Sequence, residues 1–114
     1  MENCRKICLV IDDDESSLLV LTHYMKQLGF ITLEATNGLM ALDLVEDADF
    51  QLVDIQMPIM DGNQYMAELE KRGIVIPTVI VSGNPYPDKI SILKPVSKSS
   101  IERALNQIKI SCEH

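Results

Sequence analysis

The sequence predicts an α/β domain built on a mostly parallel sheet, and three observations carry that prediction. Short apolar runs alternate along the chain with segments whose apolar residues recur at helical spacing. The runs at Ile7–Ile11 and around Leu52 and Val53 are apolar on successive residues, as suits strands covered on both faces. Polar residues stand where these runs break, at the carboxyl ends of strands, which is where open α/β sheets bind ligands.

The 114 residues amount to one domain, 1–114, large enough to bury a core without staples, and the hydrophobic share of 46% supports a folded globule. Ten Lys and Arg against seventeen Asp and Glu leave a net charge of -7. That balance argues against direct nucleic-acid binding, which draws on clustered cations, and suits a divalent cation or a basic partner. Cys4, Cys8 and Cys112 are odd in number, widely spaced and without a C-x-x-C pair, so they read as free thiols in a reducing compartment. No stretch approaches the length of a membrane span and the N-terminus lacks the apolar core of a signal peptide. The expected location is cytoplasmic.

Ile7-Cys8-Leu9-Val10-Ile11 is the first strand, stopping at Asp12-Asp13-Asp14-Glu15. Ser16 and Ser17 are candidate caps for a helix marked by Leu18, Leu21, Met25 and Leu28 and closed by Gly29. Ile31 to Ala35 is the second strand and Thr36-Asn37-Gly38 a turn; Leu39, Leu42 and Val45 mark a second helix running into Glu46-Asp47-Ala48-Asp49. Phe50 to Asp54 is the third strand. After a loop punctuated by Pro58, Asp61-Gly62 opens a helix with Tyr65, Met66 and Leu69 inward, and Lys71 and Arg72 fall in its last turn, where the helix dipole favours cations. Pro77 to Val81 is the fourth strand, Ile90 to Leu93 the fifth, and Ile101, Ala104, Leu105 and Ile108 define a last amphipathic helix.

One interval breaks the rhythm. Between Ser82 and Ile90 lie only Gly83-Asn84-Pro85-Tyr86-Pro87-Asp88-Lys89, whereas a parallel crossover normally takes a dozen residues or more and a helix. Two prolines argue against a helix here. Seven extended residues reach about 23–25 Å, just enough for an extended crossover. The alternatives are an irregular last strand or one exchanged with a second copy in a homodimer.

On such a sheet Asp12 and Asp13 end the first strand, Asp54 the third, Ser82 the fourth and Lys94 the fifth, all on one rim. Three carboxylates held together repel one another unless a cation joins them, and Mg²⁺ takes carboxylates while leaving room for phosphate oxygens. A lysine and a hydroxyl opposite could hold an anion. The pattern points to phosphoryl chemistry with Asp54 as acceptor.

The stretches VIDDDE, ATNGLMAL, VDIQMPIMDG, IPTVIVSG and LKPV, in this order, resemble the receiver domain of two-component response regulators of the chemotaxis-regulator type, over essentially the whole chain. The resemblance implies a doubly wound, flavodoxin-like sheet of order 2-1-3-4-5 with helices on both faces. It implies that Asp54 accepts a phosphoryl group from a histidine kinase or phosphotransfer protein. Asp13 would ligate Mg²⁺ directly, Asp12 mainly through water, and the backbone carbonyl of Gln56 as a third protein ligand. Ser82 matches the hydroxyl that bonds the phosphoryl oxygen, and Lys94 the family's lysine, normally followed by a cis proline, here Pro95. Gln56 and Asn84 fall where side chains tune autodephosphorylation.

The chain departs from the family in two places. Only eleven residues separate Ser82 from Lys94, so the family's fourth helix is expected to be missing or reduced to a loop, and Ser91 stands where an aromatic switch residue is usual. Tyr86 in the shortened loop is a candidate replacement. Asp14, Glu15 and Asp61 read as helix-start charges, Met57, Met60 and Met66 as packing, His23 as solvated and His114 as tail. Three functions stay open: a phosphoacceptor signalling through an unknown downstream protein, not a turnover enzyme; a degenerate receiver serving as a phosphorylation-independent interaction module; and a metal-dependent phosphatase, which would want an acid where Gln56 stands. After Lys94 there is room for one helix only, so the expectation is a stand-alone receiver or a piece of a longer chain.

Overall fold

The structure, a computed structural model, describes residues 5–86 and 89–110. Five strands, β1 (Ile7–Ile11), β2 (Ile31–Ala35), β3 (Phe50–Asp54), β4 (Thr78–Ser82) and β5 (Ser91–Leu93), form one sheet of order β2-β1-β3-β4-β5. Every pairing is parallel, with Cys8 opposite Thr32 and Phe50, Asp54 opposite Val81, and Ser82 opposite Leu93. The sheet is thus wholly rather than mostly parallel, in the expected order.

Helices α1 (Glu15–Gln27) and α4 (Lys98–Gln107) cover one face, burying Leu18, Leu21, Met25, Ile101 and Leu105 against Val10, Leu52 and Val81. Helices α2 (Gly38–Leu42) and α3 (Gly62–Lys71) cover the other, with Tyr65 and Leu69 against Leu9, Val53 and Ile80. Alternate residues of the central strands feed the two cores, which is why those strands are apolar throughout.

The local details refine the expectations. The cap of α1 is Asp14, whose Oδ2 accepts the Ser17 N–H at 3.0 Å and the Ser17 hydroxyl at 2.9 Å, so Ser16 and Ser17 lie inside the helix they were expected to cap. Asp61 and Gln64 form a reciprocal capping box at the start of α3. The second helix is shorter than expected: it ends at Leu42, bonds tighten to an i→i−3 pattern at Asp43 and Leu44, and a 3₁₀ turn spans Val45–Asp47. Leu39 faces solvent, 54% exposed, and the buried residues of the helix are Gly38, Ala41 and Leu42. Strand β4 begins one residue late because Pro77 has no N–H to give, although its carbonyl accepts from Gln51.

Among the described residues between Ser82 and Ser91 there is no helix. The chain's own β5 nevertheless pairs with β4, and the Ile80 N–H reaches back to the Ile90 carbonyl at 2.9 Å, so neither exchange nor a lost strand is needed. A buried polar chain runs under β3: the Tyr65 hydroxyl donates to Gln51 Oε1 at 2.5 Å, Gln51 Nε2 donates to Thr78 Oγ1 at 3.0 Å, and Thr78 donates to the Ile76 carbonyl. Cys8 is a buried free thiol whose pKa burial pushes up, and His23 is exposed. Cys4, Cys112 and His114 lie outside the described residues.

Candidate functional site

The carboxyl ends of the strands deliver the polar residues to one rim. Asp12 directly follows β1, where its N–H continues the ladder to the Ala35 carbonyl at 3.0 Å, and its side chain is fully buried. Its Oδ1 accepts the Asp14 N–H at 3.0 Å. Its Oδ2 is buried and has no hydrogen-bond partner, and it stands 3.8 Å from Lys94 Nζ. Asp13, next in the same turn, is exposed. Asp54 is the last residue of β3, 5% exposed, with Oδ1 3.7 Å from the same Lys94 nitrogen.

One carboxylate oxygen from each of Asp12, Asp13 and Asp54 lies within 4.8 Å of the others. Lys94 is placed by its own N–H, which bonds the Ser82 carbonyl at 2.8 Å, and the Lys94–Pro95 peptide is cis. Ser82 ends β4, half-buried, one residue beyond the partner of Asp54; its Oγ accepts the Asn84 N–H at 3.1 Å. Gln56 opens the loop after β3, exposed, and its backbone N–H favours the ionised form of Asp54. Asn84 is exposed on the crossover. All the rim residues expected from sequence therefore arrive at the same end of the sheet.

Burial sets the electrostatics. Asp12 is pushed up to about 6, chiefly by loss of hydration, with the Asp14 N–H and the Lys94 ammonium opposing and the Asp54 charge adding to the rise. Asp54 is raised for the same chief reason, with Lys94 opposing. Asp14 is lowered by its Ser17 hydrogen bonds, which belong to its capping role.

A fully buried carboxylate oxygen with no hydrogen bond is costly unless something joins it. Three acids offering hard oxygens at this spacing fit a divalent ion of the Mg²⁺ class. Lys94 alone does not discharge the cluster, since it stands beyond hydrogen-bond distance of both Asp12 and Asp54. A cleft of about 290 Å³ between α1 and the segment after β5 reaches Asp12 and Lys94, with Val20, Leu21 and Pro95 as apolar walls.

The loop from β3 to α3 is tied to the end of β3. Gly62 donates to the Ile55 carbonyl at 2.9 Å, and a Cβ at Gly62 would lie 2.7 Å from the Asp54 carbonyl oxygen. Gly38 donates to the Met60 carbonyl at 3.0 Å, tying α2 to the same loop. Ile59 sits at φ 69 inside a tight turn closed by the Met60 N–H on the Pro58 carbonyl. A β-branched residue there gives no sequence sign of that conformation. Sequence reasoning also missed Asn63, whose Oδ1 accepts the Tyr86 hydroxyl at 2.6 Å.

Residues 8–106 match the response regulator receiver domain family. A sensor histidine kinase, CheAY of Helicobacter pylori, is 41% identical over 69 residues, 57% of this chain and 9% of the kinase. The rice two-component response regulator ORR41 is 29% identical over 119 residues, 90% of this chain and 94% of that protein. The chain spans about a tenth of the length of the sensor kinases it matches. Among solved structures, the chemotaxis protein CheY4 of Vibrio cholerae superposes with a TM-score of 0.83 at 18% identity, over 91% of this chain and 98% of that one. CheY in the CheX-CheY-BeF3-Mg complex of Borrelia burgdorferi gives 0.82 at 19%, over 93% and 90%.

Proposed function

The chain belongs to the response regulator receiver domain family, and from that premise we propose that it accepts a phosphoryl group on Asp54, with Mg²⁺, from a phosphohistidine on a histidine kinase or phosphotransfer protein. The observation that carries the reading is the convergence of Asp12, Asp13 and Asp54 within 4.8 Å, with a buried oxygen on Asp12 that has no hydrogen bond and the Lys94 ammonium 3.8 Å from Asp12 and 3.7 Å from Asp54.

In the transfer an ionised Asp54 oxygen attacks phosphorus, an O–P bond forms, and the N–P bond of the donor breaks with its electron pair returning to the imidazole. Lys94, 3.7 Å from Asp54 Oδ1, favours the ionised nucleophile against the burial that opposes it, and lies where it can meet a phosphoryl oxygen. Ser82 offers its hydroxyl from the neighbouring strand end. Asp12, Asp13, Asp54 and the Gln56 carbonyl would hold Mg²⁺, which when bound neutralises the acids and withdraws charge from the phosphoryl group. Water attack on the resulting acyl phosphate returns Asp54 and inorganic phosphate. The protein on this reading is a signalling acceptor in the cytoplasm and not a turnover enzyme.

The test is incubation with Mg²⁺ and a small phosphodonor such as phosphoramidate, followed by intact-mass measurement. One phosphoryl group is expected on the wild type and none on Asp54→Ala. The shortened crossover favours a second reading, an interaction module independent of phosphorylation, and a wild-type protein that takes no phosphoryl group and binds no Mg²⁺ would leave that reading standing instead.

A further inference from the structure

The segment after Ser82 has little to fix it. Gly83, Asn84 and Pro85 are all exposed, and a Cβ on Gly83 would meet nothing within 4 Å. In a parallel α/β sheet a packed helix ordinarily steadies the chain leaving a strand, and among the described residues here there is none. Yet the Asn84 N–H holds the Ser82 oxygen at 3.1 Å.

The next fixed point is Tyr86. Its ring packs against the core under α2 and α3, and its hydroxyl donates to Asn63 Oδ1 at 2.6 Å. Asn63 is the second residue of α3, and α3 begins on the backbone of the acceptor strand through the Gly62 N–H on the Ile55 carbonyl and the close approach of Gly62 to the Asp54 carbonyl. The crossover is thereby referenced to the same stretch of backbone that carries Asp54.

We propose that Tyr86, through its hydrogen bond to Asn63, is a positioning residue for Ser82, taking the steadying role that a packed helix ordinarily has. The proposal rests on phosphotransfer to Asp54. With the Asn84 N–H occupying one lone pair of the Ser82 oxygen, the hydroxyl has fewer orientations to choose from and its proton stays available to an acceptor. Loss of the tether lets Asn84 drift and the hydroxyl rotate among its staggered positions. The entropy of ordering that hydroxyl is then lost at each transfer.

The experiment is a double-mutant cycle on the rate of phosphorylation by phosphoramidate with saturating Mg²⁺. Tyr86→Phe keeps the ring in the core and removes one hydrogen bond, so the rate is expected to fall about fivefold. Asn63→Ala should give the same loss and the double variant no more, whereas Asn63→Asp, which still accepts from the hydroxyl, should restore most of the rate. In a Ser82→Ala background Tyr86→Phe should change nothing further, which a merely structural effect of the tyrosine would not produce. An unaltered rate in Tyr86→Phe, or an equal loss with and without Ser82, overturns the proposal while phosphorylation of the wild type leaves the acceptor role intact. A wild type that takes no phosphoryl group overturns both. Thermal melts of each variant identify any loss that comes from unfolding, and the Asn63 variants carry the test if Tyr86→Phe fails to fold.

Discussion

Asp12 Oδ2 and Lys94 Nζ face each other at 3.8 Å, too far for a hydrogen bond, and the carboxylate oxygen is buried with no other partner. The rim thus holds an ion pair that is only partly satisfied. A salt bridge built for stability would close that gap, because a buried charge gains from its counter-ion only at good geometry. The spacing instead leaves the buried Asp12 oxygen without a hydrogen bond, open to a further cationic partner.

The first consequence is a pH dependence of metal binding. Mg²⁺ needs the ionised carboxylate, and Asp12 holds its proton up to about pH 6 in the metal-free fold. Above that pH the proton offers no competition; below it each unit costs close to a factor of ten. Affinity measured by calorimetry should therefore be roughly tenfold weaker at pH 5 than at pH 7.5. An exposed carboxylate would titrate near 4 and show almost no change over this range. A flat profile would show that no carboxylate raised by burial takes part in the binding.

The same burial bears on stability. Unfolded, Asp12 has its ordinary carboxylate pKa; folded, it is raised, so the folded state binds the proton more tightly. Below about pH 4 both states are protonated and nothing is lost, while above about pH 6 the unfolded chain ionises freely and the folded one bears the cost. In the absence of Mg²⁺, Asp12→Asn should stabilise the domain at pH 7 by about 1–3 kcal/mol, since the amide keeps the acceptor for the Asp14 N–H and drops the charge. The gain should vanish at pH 4, and Mg²⁺ should no longer raise the melting temperature. A destabilised Asp12→Asn at neutral pH would show that the Lys94 pairing outweighs desolvation.

Much of this was legible in the chain because strands buried on both faces announce themselves. Ile7–Ile11 and Phe50–Asp54 are bounded as read, since each run ends at a polar residue, and the edge strand Ile31–Ala35, half-exposed and interrupted by Thr32 and Glu34, is bounded by the turn residues on either side of it. Once the strands and the direction of the crossovers are known, their carboxyl ends must share a rim, and Asp12, Asp13, Asp54, Ser82 and Lys94 follow. The second helix is shorter than its pattern suggests because Leu39, Leu42 and Val45 carry helical spacing whether the backbone is α or 3₁₀, so the spacing gives no sign of the tightening at Asp43. The Tyr86–Asn63 bond and the Gln51–Tyr65 pair join residues far apart in sequence through polar side chains that have no periodicity, so no local pattern marks them. The polarity of Gln51 even runs against the apolar strand it occupies, and only Tyr65 and Thr78 make its burial tolerable.

The start of α3 lies hard against the end of β3. A methyl group at Gly62 would fall 2.7 Å from the Asp54 carbonyl oxygen and 2.9 Å from the Ile55 Cα. Both are backbone atoms of the strand end, held by the sheet, so neither yields as a side-chain tip would, and α3 must move instead. Its N–H bond to the Ile55 carbonyl is then stretched, and overpacking of this kind costs about 1–3 kcal/mol. Gly62→Ala should lower the unfolding free energy by that amount and, on the proposed function, slow phosphorylation of Asp54, because the shift is delivered to the backbone that carries its carboxylate. Gly83→Ala is the matched control: it meets no atom within 4 Å and its stability should stay within about 0.5 kcal/mol of wild type. If Gly62→Ala were as stable as Gly83→Ala, the start of α3 would not be clamped on Asp54, and the route by which Asn63 and Tyr86 refer the crossover to the acceptor would lose its anchor.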